Sequence, residues 1–326
     1  MPSSARTDLF AGVDEVPGAA KNDTVIRVDG MQRSFGGLTA VDVAHLEFQR
    51  GAITGLIGPN GAGKTTFFNL ITGFDRPDSG TWSLNGQPLG RLVPHQVARK
   101  GIVRTFQLTK ALAKLTVLDN VRLGARAQRG EHMGPALVPW LWRRQEAEIT
   151  ERAHAMLERF SLDAKADDYA GSLSGGQRKL LEMARALMTD PEVVMLDEPM
   201  AGVNPALTQS LLGHIKGLRD EGMSVVFVEH DMDVIRDVSD WVVVMAGGKV
   251  IAESRPEHLA DNKAVVEAYL GGHHDQVLEF DDDGNPVGQT AVLAEQVETA
   301  LEEAIETGDN LSKPVVSDAV PPKERS

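Results

Sequence analysis

One stretch of the sequence decides the fold, and it reads Gly58-Pro59-Asn60-Gly61-Ala62-Gly63-Lys64-Thr65-Thr66. The apolar residues 52–57 before it are typical of a buried strand, and residues 67–72 after it are typical of a helix. Glycines in such a connection let successive backbone N–H groups converge on phosphate oxygens, and the start of a helix adds the positive end of its dipole. The stretch therefore predicts a phosphate-binding loop, here called the phosphate loop.

Two side chains of the phosphate loop carry specific chemistry. We expect Lys64 to reach the β and γ phosphates of a nucleoside triphosphate, and the hydroxyl of Thr65 to coordinate Mg2+. A glycine-rich turn that binds nothing is the alternative. The strand, the lysine and the threonine together favour the phosphate site.

The composition is that of a soluble globular protein and excludes several other classes. The 326 residues include no cysteine, so the chain has neither disulfides nor thiolate chemistry. No apolar run approaches the roughly 18 residues that span a bilayer. Residues 1–22 lack the pattern of a signal peptide, and we expect a flexible leader there.

The negative charge is concentrated at the C-terminal end. Residues 271–326 hold thirteen acidic and three basic side chains, so they carry −10 of the formal net charge of −14. The remainder of the chain is near neutral and has no basic stripe. This distribution argues against nucleic acid as a partner.

Short apolar runs alternate with helical patterns along the chain, which is typical of a parallel α/β sheet. Predicted strands are residues 193–196, 224–228 and 241–246, and the last leads through a Gly247-Gly248 turn into a hairpin partner.

Two other regions are predicted to surround this sheet. Residues 24–29 alternate as an edge strand would, and with residues 39–48 and a hairpin at Asn85-Gly86 they predict a small N-terminal antiparallel β region. Apolar residues at helical spacing in residues 116–129 and 143–160 predict an inserted α-helical subdomain.

Charged side chains follow two of the predicted strands. Asp197 and Glu198 come after residues 193–196, and His230 comes soon after residues 224–228. A carboxylate in this position can hold Mg2+, and its neighbour can polarise an attacking water, whereas a solvated turn is the alternative. His230 can donate to a γ-phosphate, although a lone histidine is more often structural.

A second glycine-rich stretch, Leu173-Ser174-Gly175-Gly176-Gln177, precedes an amphipathic helical pattern at residues 178–188. It predicts another anion-binding concavity, this time without a lysine. Phe35 lies before Gly36-Gly37 and either stacks on an adenine ring or caps a sheet edge. Gln107 ends an extended run, where a lone glutamine is usually a surface residue.

Two further segments each admit two interpretations. Trp140 and Trp142 belong to a proline-broken apolar loop that is either a docking surface or folded back on the helices. In the acidic tail, four residues repeat every fourth position: Leu293, Val297, Leu301 and Ile305. They predict either a regulatory amphipathic helix or a solvated, disordered extension.

Taken together and in this order, the motifs resemble those of the ATPase subunit of an ABC transporter over about residues 25–270. The resemblance implies a P-loop NTPase (RecA-like) parallel sheet core with an N-terminal antiparallel β region and an inserted α-helical subdomain. It places the ATPase domain at residues 23–270 and the helical subdomain at about 109–185. The leader at 1–22 and the acidic extension at 271–326 flank it.

The resemblance also implies roles for residues, with ATP and Mg2+ as ligands. Two subunits would meet head to tail, so that ATP on one phosphate loop is covered by the second glycine-rich stretch, the signature, of the other. Glu198 would be the general base and His230 would hold the γ-phosphate. The implied Mg2+ group is Thr65, Asp197 and Gln107, the last also facing the permease. The implied nucleotide contacts are Phe35, Val41, Gly58, Pro59, Asn60, Gly61, Ala62, Gly63, Lys64, Thr65, Thr66, Ser174, Gly175, Gly176 and Gln177.

Finer features are similar to the ATPases of branched-chain amino-acid importers. They are Arg104-Thr105-Phe106-Gln107, residues 201–205 with Asn204 in place of the more usual aspartate, and the ending at residues 266–271. The resemblance implies two permease subunits, an extracytoplasmic substrate-binding protein as an indirect partner, and a place on the cytoplasmic face of the inner membrane.

Two alternatives stay open beside the amino-acid importer. Because nothing in this chain contacts the cargo, uptake of urea or amides and transport of lipid or lipopolysaccharide are both compatible with it. A non-transport ABC protein of translation or DNA repair is disfavoured by the single cassette, the short helical insert and the lack of a basic stripe.

Overall fold

The computed structural model describes residues 8–105, 112–126, 128, 140, 142–259 and 262–270. Strands in these ranges are β1 (Thr24–Phe35), β2 (Leu38–Gln49), β3 (Ile53–Ile57), β4 (Ser79–Leu84), β5 (Gln87–Pro88), β6 (Ile102–Arg104), β7 (Val193–Asp197), β8 (Ser224–Val228), β9 (Trp241–Ala246) and β10 (Lys249–Ser254). The α-helices are α1 (Lys64–Ile71), α2 (Pro94–Lys100), α3 (Val117–Arg122), α4 (Arg143–Arg159), α5 (Gly175–Leu187), α6 (Pro205–Asp220), α7 (Met232–Val238) and α8 (Lys263–Leu270). Short 3-10 helices lie at Asp163–Lys165, Ala170–Ser172 and Pro256–His258.

The central sheet has six strands in the order β10-β9-β3-β8-β7-β6. All neighbouring pairs are parallel except the β9–β10 hairpin. Every residue of β3, β7 and β8 is buried. Such continuous apolar strands are expected where both faces of a parallel sheet are covered. The predicted α/β core is confirmed.

The second sheet is antiparallel, with the order β2-β1-β4-β5. The prediction of an edge strand at residues 24–29 is wrong, because β1 pairs with β2 on one side and β4 on the other. Its alternating pattern reflects one covered face of an antiparallel sheet instead. The predicted hairpin turn is present, and Asn85 and Gly86 both have positive φ, at 50° and 73°.

Helix α1 lies in the hydrophobic core that also contains side chains of the antiparallel sheet, and Phe67 and Phe68 are fully buried there. A second core joins helices α3 to α7 to the central sheet. In α4, Ile149, Ala153 and Leu157 repeat every fourth position and form the buried stripe. The helical pattern predicted for residues 116–129 corresponds to the shorter helix α3, whose N-cap Thr116 accepts a hydrogen bond from the Asp119 N–H.

The N-terminal segment 8–22 packs against the central sheet. The ring of Phe10 stacks on Trp241 with centroids 4.6 Å apart. The Lys21 ammonium lies 2.8 Å from a carboxylate oxygen of Glu253, and both side chains are completely buried. The boundary predicted at residue 22 therefore does not separate these residues from the domain, and the flexible leader is wrong for them.

Two predicted features lie wholly or partly outside the described residues. The tail at 271–326 and most of the tryptophan loop belong to this group. Trp140 itself is 77% exposed, so this side chain does not fold back on the helices. No helix within the described ranges is both long and apolar enough to cross a bilayer.

Candidate functional site

The phosphate loop connects β3 to α1 through three glycines with positive φ. These angles are 146° at Gly58, 80° at Gly61 and 97° at Gly63. A Cβ atom on Gly58 would lie 2.0 Å from the Met245 carbonyl oxygen, and one on Gly63 would lie 2.2 Å from the Ala40 carbonyl oxygen. Backbone conformation and close packing therefore both require glycine at these two positions.

Helix α1 begins without a side-chain cap. Its first backbone bond runs from the Phe67 N–H to the Gly63 carbonyl at 2.8 Å. The N–H groups of Lys64, Thr65 and Thr66 precede that bond and have no partner within the helix. Such N–H groups, together with the positive end of the helix dipole, form a site for an anion.

The ammonium of Lys64 folds back over its own loop. It donates to the carbonyl oxygens of Gly58 at 2.5 Å and Pro59 at 3.1 Å. Burial lowers the pKa of Lys64, and the negative charges of Glu198 and Asp197 oppose that shift. A buried cation is thus held next to two carboxylates at the mouth of the loop.

The parallel register brings the predicted polar residues to one edge of the sheet. Asp197 pairs with Val228 in the neighbouring strand, and β8 in turn lies beside β3. As a result, Glu198 and His230 face each other, with the carboxylate Oε1 3.0 Å from the imidazole Nε2. Glu198 has a φ of 47°, a conformation that few non-glycine residues adopt. The structure thus brings these two predicted site residues into direct contact.

Asp197 has a partner that the sequence did not reveal. Its carboxylate accepts a hydrogen bond from the Arg104 guanidinium, and both side chains are almost fully buried. Arg104 also donates to the Asn69 side chain of α1 at 2.5 Å. In the sequence, the only sign of this contact is that Arg104 is a charged residue at the end of a short apolar strand. That strand, β6, turns out to pair with β7.

A buried carboxylate, Glu229, lies one residue before His230. It accepts hydrogen bonds from the backbone N–H of Met200 at 2.8 Å and of His230 at 3.3 Å. Burial raises the pKa of Glu229 to about 7, against the opposing effect of these two N–H donors. Glu229 therefore ties the segment after Glu198 to the segment that carries His230, a role that its sequence position alone did not indicate.

Lys179 of α5 reinforces the same region. Its ammonium donates to the carbonyl oxygens of Pro199 at 2.8 Å and Ala201 at 2.6 Å. A longer bond reaches the Glu198 carbonyl oxygen at 3.3 Å. The helix that follows Ser174 is in this way bonded directly to the turn that follows β7.

The signature forms the beginning of α5, three residues earlier than the predicted helix at 178–188. Ser174 and Gln177 form a reciprocal capping box, with hydrogen bonds of 3.1 and 3.3 Å. Ser174 and Gly175 are exposed. Ser174 forms its hydrogen bonds with Gln177 and Arg178 of α5, and not with the phosphate loop of its own molecule.

The remaining predicted site residues differ in their placement. Phe35 is 48% exposed, and the Arg33 guanidinium lies 4.5 Å from its ring centroid. Val41 is fully buried in the core between the sheets, so its side chain does not share the exposed surface of Phe35. Gln107 lies outside the described residues.

Comparisons with known proteins agree with this geometry. Residues 41–201 match the model of the family described as ABC transporter. The chain is 41% identical over 253 residues to the probable branched-chain amino acid transport ATP-binding protein LivG of Archaeoglobus fulgidus, which covers 78% of this chain and 98% of that protein. It is 40% identical over 249 residues to the high-affinity branched-chain amino acid transport ATP-binding protein BraF of Pseudomonas aeruginosa, and the match covers 76% of this chain and 98% of that protein. The crystal structure of a nucleotide-free ATP-binding cassette from an ABC transporter is similar with a TM-score of 0.66 and 36% identity, over 76% of this chain and 98% of that one.

Proposed function

The chain belongs to the family of ABC transporter ATP-binding proteins, and from this membership we propose that it hydrolyses ATP to drive uptake of branched-chain amino acids through partner permease subunits. The observation that carries the nucleotide part is the uncapped start of α1, with its N–H groups beside the Lys64 ammonium. A triphosphate satisfies both at once, because it is anionic and offers several acceptor oxygens.

The chemical step falls to the pair at the sheet edge. Glu198 is suited to act as general base, since a carboxylate within reach of a bound water can accept its proton. His230 is within hydrogen-bond distance of Glu198, so it can orient that carboxylate and also donate to the γ-phosphate. The phosphate loop and Lys64 hold the phosphates while the reaction proceeds.

Mg2+ fits the oxygen donors present. When bound, it neutralises charge on the phosphate oxygens. The Thr65 hydroxyl and the Asp197 carboxylate are ligands of the kind that Mg2+ takes, with Gln107 as a third candidate. In the described part of the chain, no group of three or more His, Cys, Asp or Glu side chains is arranged so that it could hold a metal ion by itself.

A second ATPase subunit, identical or paralogous, completes each site. Ser174 and Gly175 stand exposed at the start of a helix, and the hydrogen bonds of Ser174 stay within its own helix. An exposed helix N-terminus of this kind can bind the phosphates of a nucleotide held by another molecule. The head-to-tail arrangement then follows, and closure and opening of the pair would move the attached permease.

The cargo and the location rest on the relatives. Both relatives described above are named for branched-chain amino acid transport. The proposal therefore includes two permease subunits, an extracytoplasmic substrate-binding protein that acts through them, and a peripheral position on the cytoplasmic face of the membrane. Related transporters of urea or amides, or of lipids, are the second candidates.

The hydrolysis proposal is tested by Glu198→Gln, which keeps the shape of the side chain and removes the base. We expect the variant to retain ATP affinity, measured by equilibrium binding, and to lose at least about 100-fold in hydrolysis rate. Lys64→Ala is the matched comparison, because it removes the phosphate contact and lowers the affinity itself. A Glu198→Gln protein that hydrolyses ATP at nearly the wild-type rate would refute the assignment.

The cargo proposal needs the assembled complex. The chain is purified in detergent with its co-purifying membrane proteins and reconstituted into vesicles, and ATP-dependent uptake of leucine is compared with that of urea. Leucine uptake that stops in the Glu198→Gln complex supports the importer. Uptake of urea alone, or co-purification with ribosomes instead of permeases, would contradict it.

A further inference from the structure

The turn between β9 and β10 touches the phosphate loop although it belongs to none of the recognised motifs. The Gly248 N–H donates to the Ala62 carbonyl oxygen at 3.1 Å, and the Gly248 carbonyl oxygen accepts from the Asp42 N–H at 2.7 Å. One glycine thus bridges the phosphate loop and strand β2. Its place in the sequence, about 190 residues after the loop, gave no sign of this contact.

The bond to Ala62 has a directional consequence inside the loop. A trans peptide is planar, and its C=O and N–H groups point to opposite sides. When Gly248 holds the Ala62 carbonyl on the outer side of the loop, the Gly63 N–H of the same peptide is aimed the other way. Gly63 is the N-cap of α1, so this N–H joins the donors at the start of that helix.

Close packing supports the same contact. A Cβ atom built on Gly63 would lie 3.4 Å from the Gly248 Cα, so the two glycines are adjacent in space. A Cβ atom on Gly248 would lie 3.0 Å from the Ala40 carbonyl oxygen and 3.2 Å from the Val41 nitrogen. Gly247 differs, because a Cβ atom there would meet nothing within 4 Å.

The other end of the hairpin is fixed to the protein. The Trp241 indole donates to Glu253 at 3.1 Å, and the Lys21 ammonium bonds the same carboxylate. Because the hairpin is held at its base, a displacement at its tip is not absorbed by free movement of both strands. A shift of the hairpin tip therefore also shifts the Ala62 carbonyl to which Gly248 is bonded.

We propose that Gly248 is a positioning residue for nucleotide binding, holding the Ala62–Gly63 peptide so that the Gly63 N–H faces the phosphates. This inference rests on the proposed function, since it concerns the same nucleotide site. Gly248 acts through the backbone of Ala62 and does not itself contact the ligand.

The experiment compares Gly248→Ala with Gly247→Ala. Both glycines have positive φ, at 81° and 53°, so both variants carry a backbone penalty, but only the first adds an atom against Ala40. We expect Gly248→Ala to bind ADP and ATP about 5- to 10-fold more weakly, the worth of about one hydrogen bond. Gly247→Ala should stay within about twofold of wild type. Affinities are measured well below the unfolding temperature of each variant, so that a loss of stability alone does not change them.

The outcomes separate this inference from the proposed function. If wild-type protein binds adenine nucleotides and Gly248→Ala binds them equally well, the positioning role is overturned and the ATPase proposal stands. Equal losses in both variants also overturn it. If wild-type protein binds no adenine nucleotide, the proposed function itself fails.

A measurement on wild-type protein covers the case in which Gly248→Ala does not fold. Hydrogen exchange at the Gly248 amide should be slow and should slow by a further severalfold when ADP is bound, because the acceptor on Ala62 is then held more firmly. Exchange at this amide that is unaffected by ADP would overturn the proposal.

Discussion

The buried carboxylate of Glu229 makes a quantitative prediction about stability and pH. Burial raises the pKa of this group from 4.5 to about 7 in the folded protein. A carboxyl with a raised folded pKa binds its proton more tightly in the folded state, so its contribution to stability is complete below pH 4.5. That contribution is lost as the pH rises through about 7. The difference of about 2.5 pKa units corresponds to about 3 kcal/mol in the free energy of unfolding.

The variant Glu229→Gln isolates this effect. Its amide oxygen can still accept from the Met200 N–H, and its loss of the weaker bond to the His230 N–H is the same at every pH. Glu198 and Asp231, whose charges also raise the pKa of Glu229, are present in both proteins. The difference in stability between wild type and variant therefore reports the Glu229 charge.

Urea unfolding at pH 5 and pH 8 measures that difference. We expect the stability of Glu229→Gln relative to wild type to rise by about 2 to 3 kcal/mol between the two pH values. Glu257→Gln is the control, because Glu257 is exposed and its variant should follow wild type at both pH values. If the free energies of unfolding of Glu229→Gln and of wild type change by the same amount between pH 5 and pH 8, the Glu229 carboxylate does not titrate in this range. That result would refute the raised pKa.

Three further predictions concern the packing that supports the site. Lys21→Met leaves the Glu253 carboxylate buried without its cation, so the free energy of unfolding should fall by about 3 kcal/mol in the urea assay. The double variant Lys21→Met/Glu253→Gln removes the buried charge as well and should recover part of this lost stability. Gly176→Ala would place a Cβ atom 1.8 Å from the Leu207 side chain and should lower the melting temperature, whereas Gly175→Ala, with nothing within 4 Å, should change it little. Thr116→Ala removes the cap of α3 and should cost about 1 kcal/mol by urea unfolding, and a smaller loss than about 0.3 kcal/mol would show that the cap is redundant.

The sequence predicted those features whose signals are local. A glycine loop between an apolar strand and a helix specifies its own geometry. The ends of neighbouring parallel strands lie at one edge of the sheet, and Glu198 and His230, which were predicted to follow two strands, do contact each other there. Helix starts were placed too late by three residues at both α1 and α5. At α5 the first turn contains two glycines, which are poor helix formers, and it is stabilised by the capping box of Ser174 and Gln177. At α1 no side-chain cap marks the start of the helix.

The errors share another physical origin, which is contact between residues far apart in the chain. Nothing near Phe10 or Lys21 indicates Trp241 and Glu253, over 200 residues away, so the segment was taken for a leader. The strand at residues 24–29 alternates in the same way whether its second neighbour is solvent or β4. Periodicity reports which face is buried, but it does not report how many strands lie alongside.

The charged groups of the site are all paired in the structure, and this explains how a site built for a polyanion can be stable by itself. Lys64 is bonded to loop carbonyls, and Asp197 to Arg104. A buried charge without a partner would cost several kcal/mol, and these internal bonds remove that penalty.

Under the proposed function, nucleotide binding is then an exchange of hydrogen-bond partners, in which Lys64 gives up neutral carbonyl acceptors for charged phosphate oxygens. Because hydrogen bonds between two ions are stronger than those to a neutral acceptor, the exchange is favourable for Lys64. At Asp197, a bound Mg2+ would take the place of the Arg104 guanidinium as the cationic partner, so the energetic gain there would be smaller. Arg104 would keep its hydrogen bond to the Asn69 side chain.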